Sequence, residues 1–216
     1  MRSKNSKIII LGNKNINEAD KLLFVYSKEF GKLKVVAKGA RKLKSKFLGH
    51  TQTLTIAEAN LYFGPKSIIL TEIKTTQNSK KIRSNIKSTF SALQIAEITD
   101  KCVLEKQEIE GLFSLLEKTL NQLEKNSKTQ LIVTSYTIKF LNLLGLIPNF
   151  KEIQTKLPEK YKKFFEYVKI QDFDKLMRIA LNEQDENIIK DITKKLLELQ
   201  SEKELKALKF NFSLIS

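Results

Sequence analysis

The sequence predicts an α+β protein in which a small, strongly basic β module precedes a nearly neutral helical module. Three observations carry this. Short apolar runs, rich in β-branched and aromatic residues, occupy about the first 75 positions. From about Ser79 onward the apolar residues instead recur at helical spacing. Positive charge is concentrated in the first of these two segments.

The strand candidates are Ile8–Leu11, Leu22–Tyr26, Lys32–Val36, a stretch in which Leu54, Ile56, Ala57 and Ala59 interleave with Thr51, Thr53, Thr55 and Glu58, and Ile68–Ile73. Turn signals at Gly12-Asn13, Gly31, Gly39 and Gly64-Pro65 separate them. Five such strands with no strong helix among them point to a small barrel or sandwich. The helical part opens with a face marked by Ile86, Phe90, Leu93 and Glu97, continuing to Ile98 and Cys102. Ile109, Leu112, Phe113, Leu116, Leu120 and Leu123 form a second stripe. Leu131–Ile147 is apolar on most sides and reads as a buried central helix closing near Gly145. Pro158 suits the first turn of the next helix. Further stripes run through Phe173, Leu176, Met177 and Ala180, and through Ile188, Ile189, Ile192, Leu196 and Leu199. The alternating tail Leu208–Ile215 is expected to pair as a strand. No internal repeat or long linker is visible. The expected domains are 1–78 and 79–216, joined around Thr75–Ser84.

The chain has 216 residues and a net charge of +15, from 39 Lys and Arg against 24 Asp and Glu. Met1–Arg83 holds 18 basic and 5 acidic residues, a net +13, whereas Ser84–Ser216 holds 21 and 19, a net +2. Lys32, Lys34, Lys38, Arg41, Lys42, Lys44 and Lys46 fall within fifteen residues, and no acid lies between Gly31 and Ala57. A proteome-wide lysine bias would load both segments alike, so a polyanion-binding face is the better reading. Lysine point charges and the planar arginine fork both suit phosphate oxygens. The seven residues just named are therefore the candidate phosphate contacts, with Arg2 and Lys4 as weaker ones. Phe47, Tyr62 and Phe63 are candidates to stack on unpaired bases, with core packing as the alternative for each.

Other functions find little support. One cysteine, Cys102, and one histidine, His50, build neither a disulfide framework nor a Cys/His zinc site. The carboxylate clusters Glu108/Glu110 and Asp185/Glu186 lie at expected helix starts, where acids favour the helix dipole. Cys102 reads as a small core residue, and His50 as part of the basic loop. No phosphate-cradling Gly-x-x-x-x-Gly-Lys-Ser/Thr loop occurs. No apolar run approaches the roughly 18 residues of a membrane span, and Ile8–Leu11 is too short for a signal-peptide core. A cytoplasmic protein without catalytic residues, metal or cofactor is expected. Charge alone leaves an RNA-binding barrel, or a scaffold docking on anionic lipid, as alternatives.

A family resemblance narrows this. Glu18–Lys21, Ser27–Leu33, Val36–Arg41 and Lys44–Phe47 resemble the N-terminal signature of the RecO family of bacterial DNA repair and recombination mediators. The likeness continues through Leu54–Gly64 and returns at Gly111–Leu116 and Phe140–Pro148. It implies an OB-fold barrel followed by an all-helical domain. It also implies binding of single- and double-stranded DNA without base specificity, annealing of complementary strands, and help in loading a RecA-type recombinase onto coated strands. The implied partners are RecR and the acidic C-terminal tail of the single-strand-binding protein; no membrane is involved. The chain departs from the family in three places. Many members carry a four-cysteine zinc site after the segment matching Gly145–Pro148, and Asn149–Gln154 here holds no cysteine, which marks a zinc-free member. Phe30 stands where histidine is common. Leu43 stands where proline is common, and a less rigid loop is expected around it.

Overall fold

A computed structural model of the protein describes residues 3–77, 79–146 and 157–200. Arg2, the segment Asn149–Gln154 and the proposed tail strand Leu208–Ile215 lie outside the described residues. The strands are β1 (Ser3–Ile16), β2 (Asp20–Ser27), β3 (Gly31–Ala37), β4 (Ile56–Phe63) and β5 (Ile68–Gln77). The helices are α1 (Lys80–Ser84), α2 (Ile86–Cys102), α3 (Leu112–Lys125), α4 (Thr129–Leu143), α5 (Glu159–Ile170), α6 (Phe173–Leu176) and α7 (Glu183–Gln200). Two compact units divide them: one drawn from Met1–Lys80 and Ala96–Glu108, the other from Lys81–Ile95 and Ile109–Ser216.

In the first unit the five strands close into a barrel in the order β1-β2-β3-β5-β4, with β4 returning to β1. Every pairing is antiparallel except β3 with β5, the arrangement of an OB-fold. Alternation puts Ile8 and Ile10, Leu23 and Val25, Leu33 and Val35, and Ala57, Ala59 and Leu61 inside. Burial of each large aliphatic side chain contributes about 1.5–3 kcal/mol.

Closure depends on β1, which is longer than its apolar run. Its first half, Ser3–Ile9, pairs with β4, and Ile8–Ile16 pairs with β2. The register shifts between Ile10 and Gly12, leaving Leu11 as an extra residue that bends the strand. Gly12-Asn13 is therefore no turn, as its composition led us to expect, but a continuation of β1 past the bulge. Leu54 likewise does not belong to a strand. It adopts a left-handed conformation (φ 68°), and β4 starts only at Ile56. Its N–H donates to the Ile10 carbonyl at 2.7 Å, while the Ile10 N–H donates to the Thr55 carbonyl at 3.0 Å. This exchange fixes the strand bend to the entry of β4.

The segment after α2 ties back onto β3. The Lys32 N–H donates to the Gln107 carbonyl at 3.3 Å, and the Lys106 N–H to the Lys32 carbonyl at 2.7 Å. Close approach there requires glycine: Gly31 has φ +62°, and a Cβ on it would lie 2.1 Å from the Gln107 oxygen.

In the second unit α4 is the central helix, buried at every position from Leu131 to Ile138 and again at Phe140 and Leu141. It packs against α3, α5, α6 and α7. Its end is closed where the Gly145 N–H donates to Asn142 and the Leu146 N–H to Leu141, both at 3.0 Å. The α3 stripe is buried as its spacing predicts, from Leu112 to Leu123. Of the face expected of α2, which runs from one unit into the other, Ile98 is buried and Phe90 and Cys102 are half-buried. Ile86 and Leu93 are exposed, and the buried residues are Ser88, Ser91, Ala92, Gln94, Ile95, Ala96, Ile98 and Thr99. Small and hydroxyl side chains surround Ile95 and Ile98 there, and a search for large apolar residues passes over them.

Replacing Gly31 by alanine is expected to cost about 2–4 kcal/mol, combining left-handed strain with a backbone clash. Gly49→Ala, where φ is +82° but no atom lies within 4 Å, should cost only the strain, about 1–2 kcal/mol. Urea denaturation of both variants measures the difference.

Candidate nucleic-acid interface

The connection from β3 to β4 carries the dense basic run, and its backbone is folded into successive tight turns. The Lys42 N–H donates to Gly39 at 3.1 Å, Ser45 to Lys42 at 2.9 Å, Leu48 to Ser45 at 3.1 Å and His50 to Phe47 at 3.1 Å. Gly39 starts the loop at φ +68°, a conformation that glycine adopts without steric cost.

The loop is fastened to the β1–β2 turn. The Gly39 N–H donates to the Asp20 carboxylate at 2.7 Å, and the Arg41 N–H to the Ala19 carbonyl at 2.9 Å. Arg41 Nη1 donates to the carbonyls of Asn17 and Glu18 at 3.1 and 2.9 Å. The Gly39 N–H holds the Asp20 carboxyl below its ordinary 3.8, helped by Asn17 and the charges of Lys38 and Lys42. Downstream, Phe47 is sunk into the barrel core. Backbone bonds thus lie on both sides of Leu43.

The predicted cations fall into three settings. Lys38, Arg41, Lys42 and Lys44 are exposed on this loop. Among the described residues, Lys38, Lys42 and Lys44 form no ion pair with a carboxylate, and Asp20 is the acid near Lys38 and Lys42. Lys32 and Lys34, on β3, are already engaged. The Lys32 ammonium, its side chain only 12% exposed, meets the Asp100 carboxylate at 3.0 Å and donates to the carbonyls of Asp100 and Val103. Lys34 pairs with Glu105 at 2.7 Å, and that hydrogen bond raises its pKa. Lys46 and Lys4 lie over aromatic rings. Lys46 sits 5.4 Å from the Phe47 centroid, beside a polar depression where Lys7 and Lys74 alternate with Glu29, Glu58 and Glu72. Lys4 sits 5.1 Å from the ring of Phe30 and 5.8 Å from that of Phe63.

Of the expected stacking residues, Phe47 is 5% exposed within the barrel core and offers no face to a base. The packing alternative describes it, because the loop needs an apolar anchor before it turns into β4. Tyr62 and Phe63 are half-buried near the end of β4, and Phe63 meets Phe30 edge to face at 5.2 Å. Phe24 is a further ring on the barrel that the sequence reading did not single out. It is half-buried on the outer side of β2, in register with Lys34, while Leu22 pairs with Val36. Reading Leu22–Tyr26 as an alternating strand rather than an apolar run places Phe24 opposite to the buried Leu23 and Val25.

The remaining reactive groups are engaged in structure. His50 Nδ1 shares a 2.7 Å hydrogen bond with the Thr75 hydroxyl. Asp185 accepts from Lys160 at 2.7 Å and from the Tyr161 hydroxyl at 2.8 Å, which hold its pKa below the ordinary value. Burial pushes the Cys102 thiol up to about 11. A four-cysteine zinc site does not fit a chain whose one cysteine is this protonated thiol at the end of α2. No group of three or more potential ligands converges among the described residues.

Known proteins resemble this chain along most of its length. Residues 1–79 match the N-terminal domain of recombination protein O, and residues 83–153 match its C-terminal domain. The DNA repair protein RecO of Caldanaerobacter subterraneus subsp. tengcongensis is 30% identical over 149 residues, 68% of this chain and 60% of that relative. That of Thermoanaerobacter sp. strain X514 is 31% identical over the same share of each chain. That of Listeria welshimeri is 31% identical over 140 residues, 65% of this chain and 55% of the relative. The matches thus span about 55–60% of the length of these relatives.

The anchor of the basic loop gives a pH prediction. Because the folded-state pKa of Asp20 is lowered, its contribution is complete above the ordinary value of 3.8 and is lost as pH falls through the lower folded value. The Gly39 amide proton shift, followed by NMR, should therefore titrate with a midpoint below 3.8. Asp20→Asn should abolish that titration.

Proposed function

The chain belongs to the RecO family of DNA repair proteins, and on that premise we propose that it is a non-enzymatic repair and recombination mediator acting through its barrel. It binds single- and double-stranded DNA by their phosphates and brings complementary strands together. The observation that carries this reading is the braced loop, on which Lys38, Lys42 and Lys44 stand exposed without an ion-pairing carboxylate among the described residues. The second Arg41 nitrogen adds a donor that the turn carbonyls leave open.

Such cations replace condensed counterions on the nucleic-acid backbone. Contact by about four of them gives a log–log salt slope near −3.6 on duplex DNA and near −2.8 on single strands. Binding of this kind reads no bases. Annealing follows, because a surface that screens two backbones lowers their repulsion while base pairing selects the partner strand. Lys32 and Lys34 have different parts: the first holds the segment after α2, and the second is half-compensated by Glu105. Phe24, Tyr62 and Phe63 supply half-buried rings for unpaired bases. Within the cell the chain works in the cytoplasm at the nucleoid, with RecR and the acidic tail of the single-strand-binding protein as partners, to load a RecA-type recombinase.

Reversing Lys42 and Lys44 to Glu tests the reading, since the bonds from the loop to the β1–β2 turn are made by Gly39 and Arg41. Fluorescence anisotropy should show at least a tenfold loss of affinity for a single-stranded oligonucleotide at low salt, and a salt slope shallower by about 1.4. Far-UV circular dichroism should be unchanged. Equal affinity and slope in the double variant would refute the role of this loop.

A further inference from the structure

Leu43 is the most exposed large apolar side chain among the described residues, at 92%, and Leu48, five residues on, is 57% exposed. A lone surface leucine needs no explanation on a loosely solvated loop. This loop is different, because its backbone is pinned on both sides of the leucine. Upstream stand the Gly39–Asp20 and Arg41–Ala19 bonds, and downstream the Ser45 and Leu48 turns and the buried Phe47. Between these bonds Leu43 stands exposed, away from the barrel core. Lys42 and Lys44 flank it directly, both exposed.

An apolar tip ringed by cations matches one kind of polyanion well. Phosphates on the outside of a nucleic-acid strand meet the cations, and the stacked bases inside accept an apolar side chain. We propose that Leu43 is a wedge that inserts between adjacent bases of a bound DNA strand, with Lys42 and Lys44 seated on the flanking phosphates. The proposal rests on the phosphate-binding reading of this loop and adds a second kind of contact to it. Phosphate contacts alone would leave base stacking undisturbed. The wedge opens one step of the stack, which unstacks the neighbouring base and leaves its pairing edge available to a complementary strand.

Leu43→Ser tests this, with Leu43→Met as the conservative control. The probe is a single-stranded oligonucleotide carrying one 2-aminopurine, whose fluorescence rises when it unstacks, at saturating full-length protein. The wild type and Leu43→Met should raise the emission at least twofold, whereas Leu43→Ser should give less than half of that rise. Anisotropy on the same oligonucleotide should give all three proteins the same salt slope, since no cation has been removed. An equal rise with Leu43→Ser, or no rise with saturated wild type, would overturn the wedge while leaving phosphate binding intact. Loss of co-flotation with phosphatidylglycerol vesicles in Leu43→Ser, with the aminopurine signal unchanged, would overturn it in favour of a lipid contact. Failure of Lys42→Glu/Lys44→Glu to weaken binding would strike the phosphate reading instead, and the wedge with it.

Discussion

Barrel closure rests on one bent strand. β1 pairs with β4 through Ser3–Ile9 and with β2 through Ile8–Ile16, and the Leu11 bulge follows just after the β4 pairing ends. A straight strand would leave β4 as an open edge, with its N–H and C=O groups unpaired. The bend is locked by the reciprocal bonds of Ile10 with Leu54 and Thr55, at the cost of holding Leu54 in a left-handed conformation. Such strain persists only where its surroundings over-determine it. Here they do: Leu54 is 3% exposed, and its carbonyl accepts from Ser79 at 3.0 Å.

That closure determines where the positive charge can act. With the barrel shut, the β3–β4 connection has to leave at one end, beside the β1–β2 turn, and it is there that Asp20 and the turn carbonyls fasten it. One acid near a cluster of exposed cations lowers the local potential somewhat, but it fixes the geometry of the others. A limp chain would lose entropy on meeting a phosphate backbone, at roughly 1–2 kcal/mol for each residue ordered. Bracing in the unbound protein removes part of that cost. The single acid is thus better understood as a positioning group than as a flaw in a basic surface.

Much of the barrel was legible because period-two burial is written directly in residues such as Ile8/Ile10, Leu23/Val25 and Leu33/Val35. The departures have local causes. A bulge at Leu11 looks like a turn because glycine and asparagine follow it. Leu54 looks like a strand residue because side-chain hydrophobicity does not report φ. In α2 the buried face mixes Ile95 and Ile98 with serine, alanine and threonine, so a search for large apolar side chains finds only part of it, whereas the leucine-rich α3 is read without difficulty. The α4 helix stands between these cases, since burial on nearly all sides shows as continuous apolarity rather than as a stripe.

For the candidate interface, the sequence locates the basic run but not the state of each cation in it. Charge density treats Lys32, Lys34 and Lys42 alike, yet the fold gives them three different surroundings. Lys32 lies where β3 meets the end of α2, and with its side chain 12% exposed an unpartnered ammonium would be costly, so it takes two carbonyls and a carboxylate. Lys34 is two residues on, on the same outer side of the strand, and Glu105 reaches it from a segment 71 positions away in sequence. Past Ala37, where the chain leaves the sheet, Lys38, Lys42 and Lys44 have no ion-pairing carboxylate among the described residues. The useful boundary in this basic run is therefore the end of β3. Cations before it belong to the fold, and exposed cations after it, on a loop anchored by Asp20, Arg41 and Phe47, belong to the surface that meets the solvent.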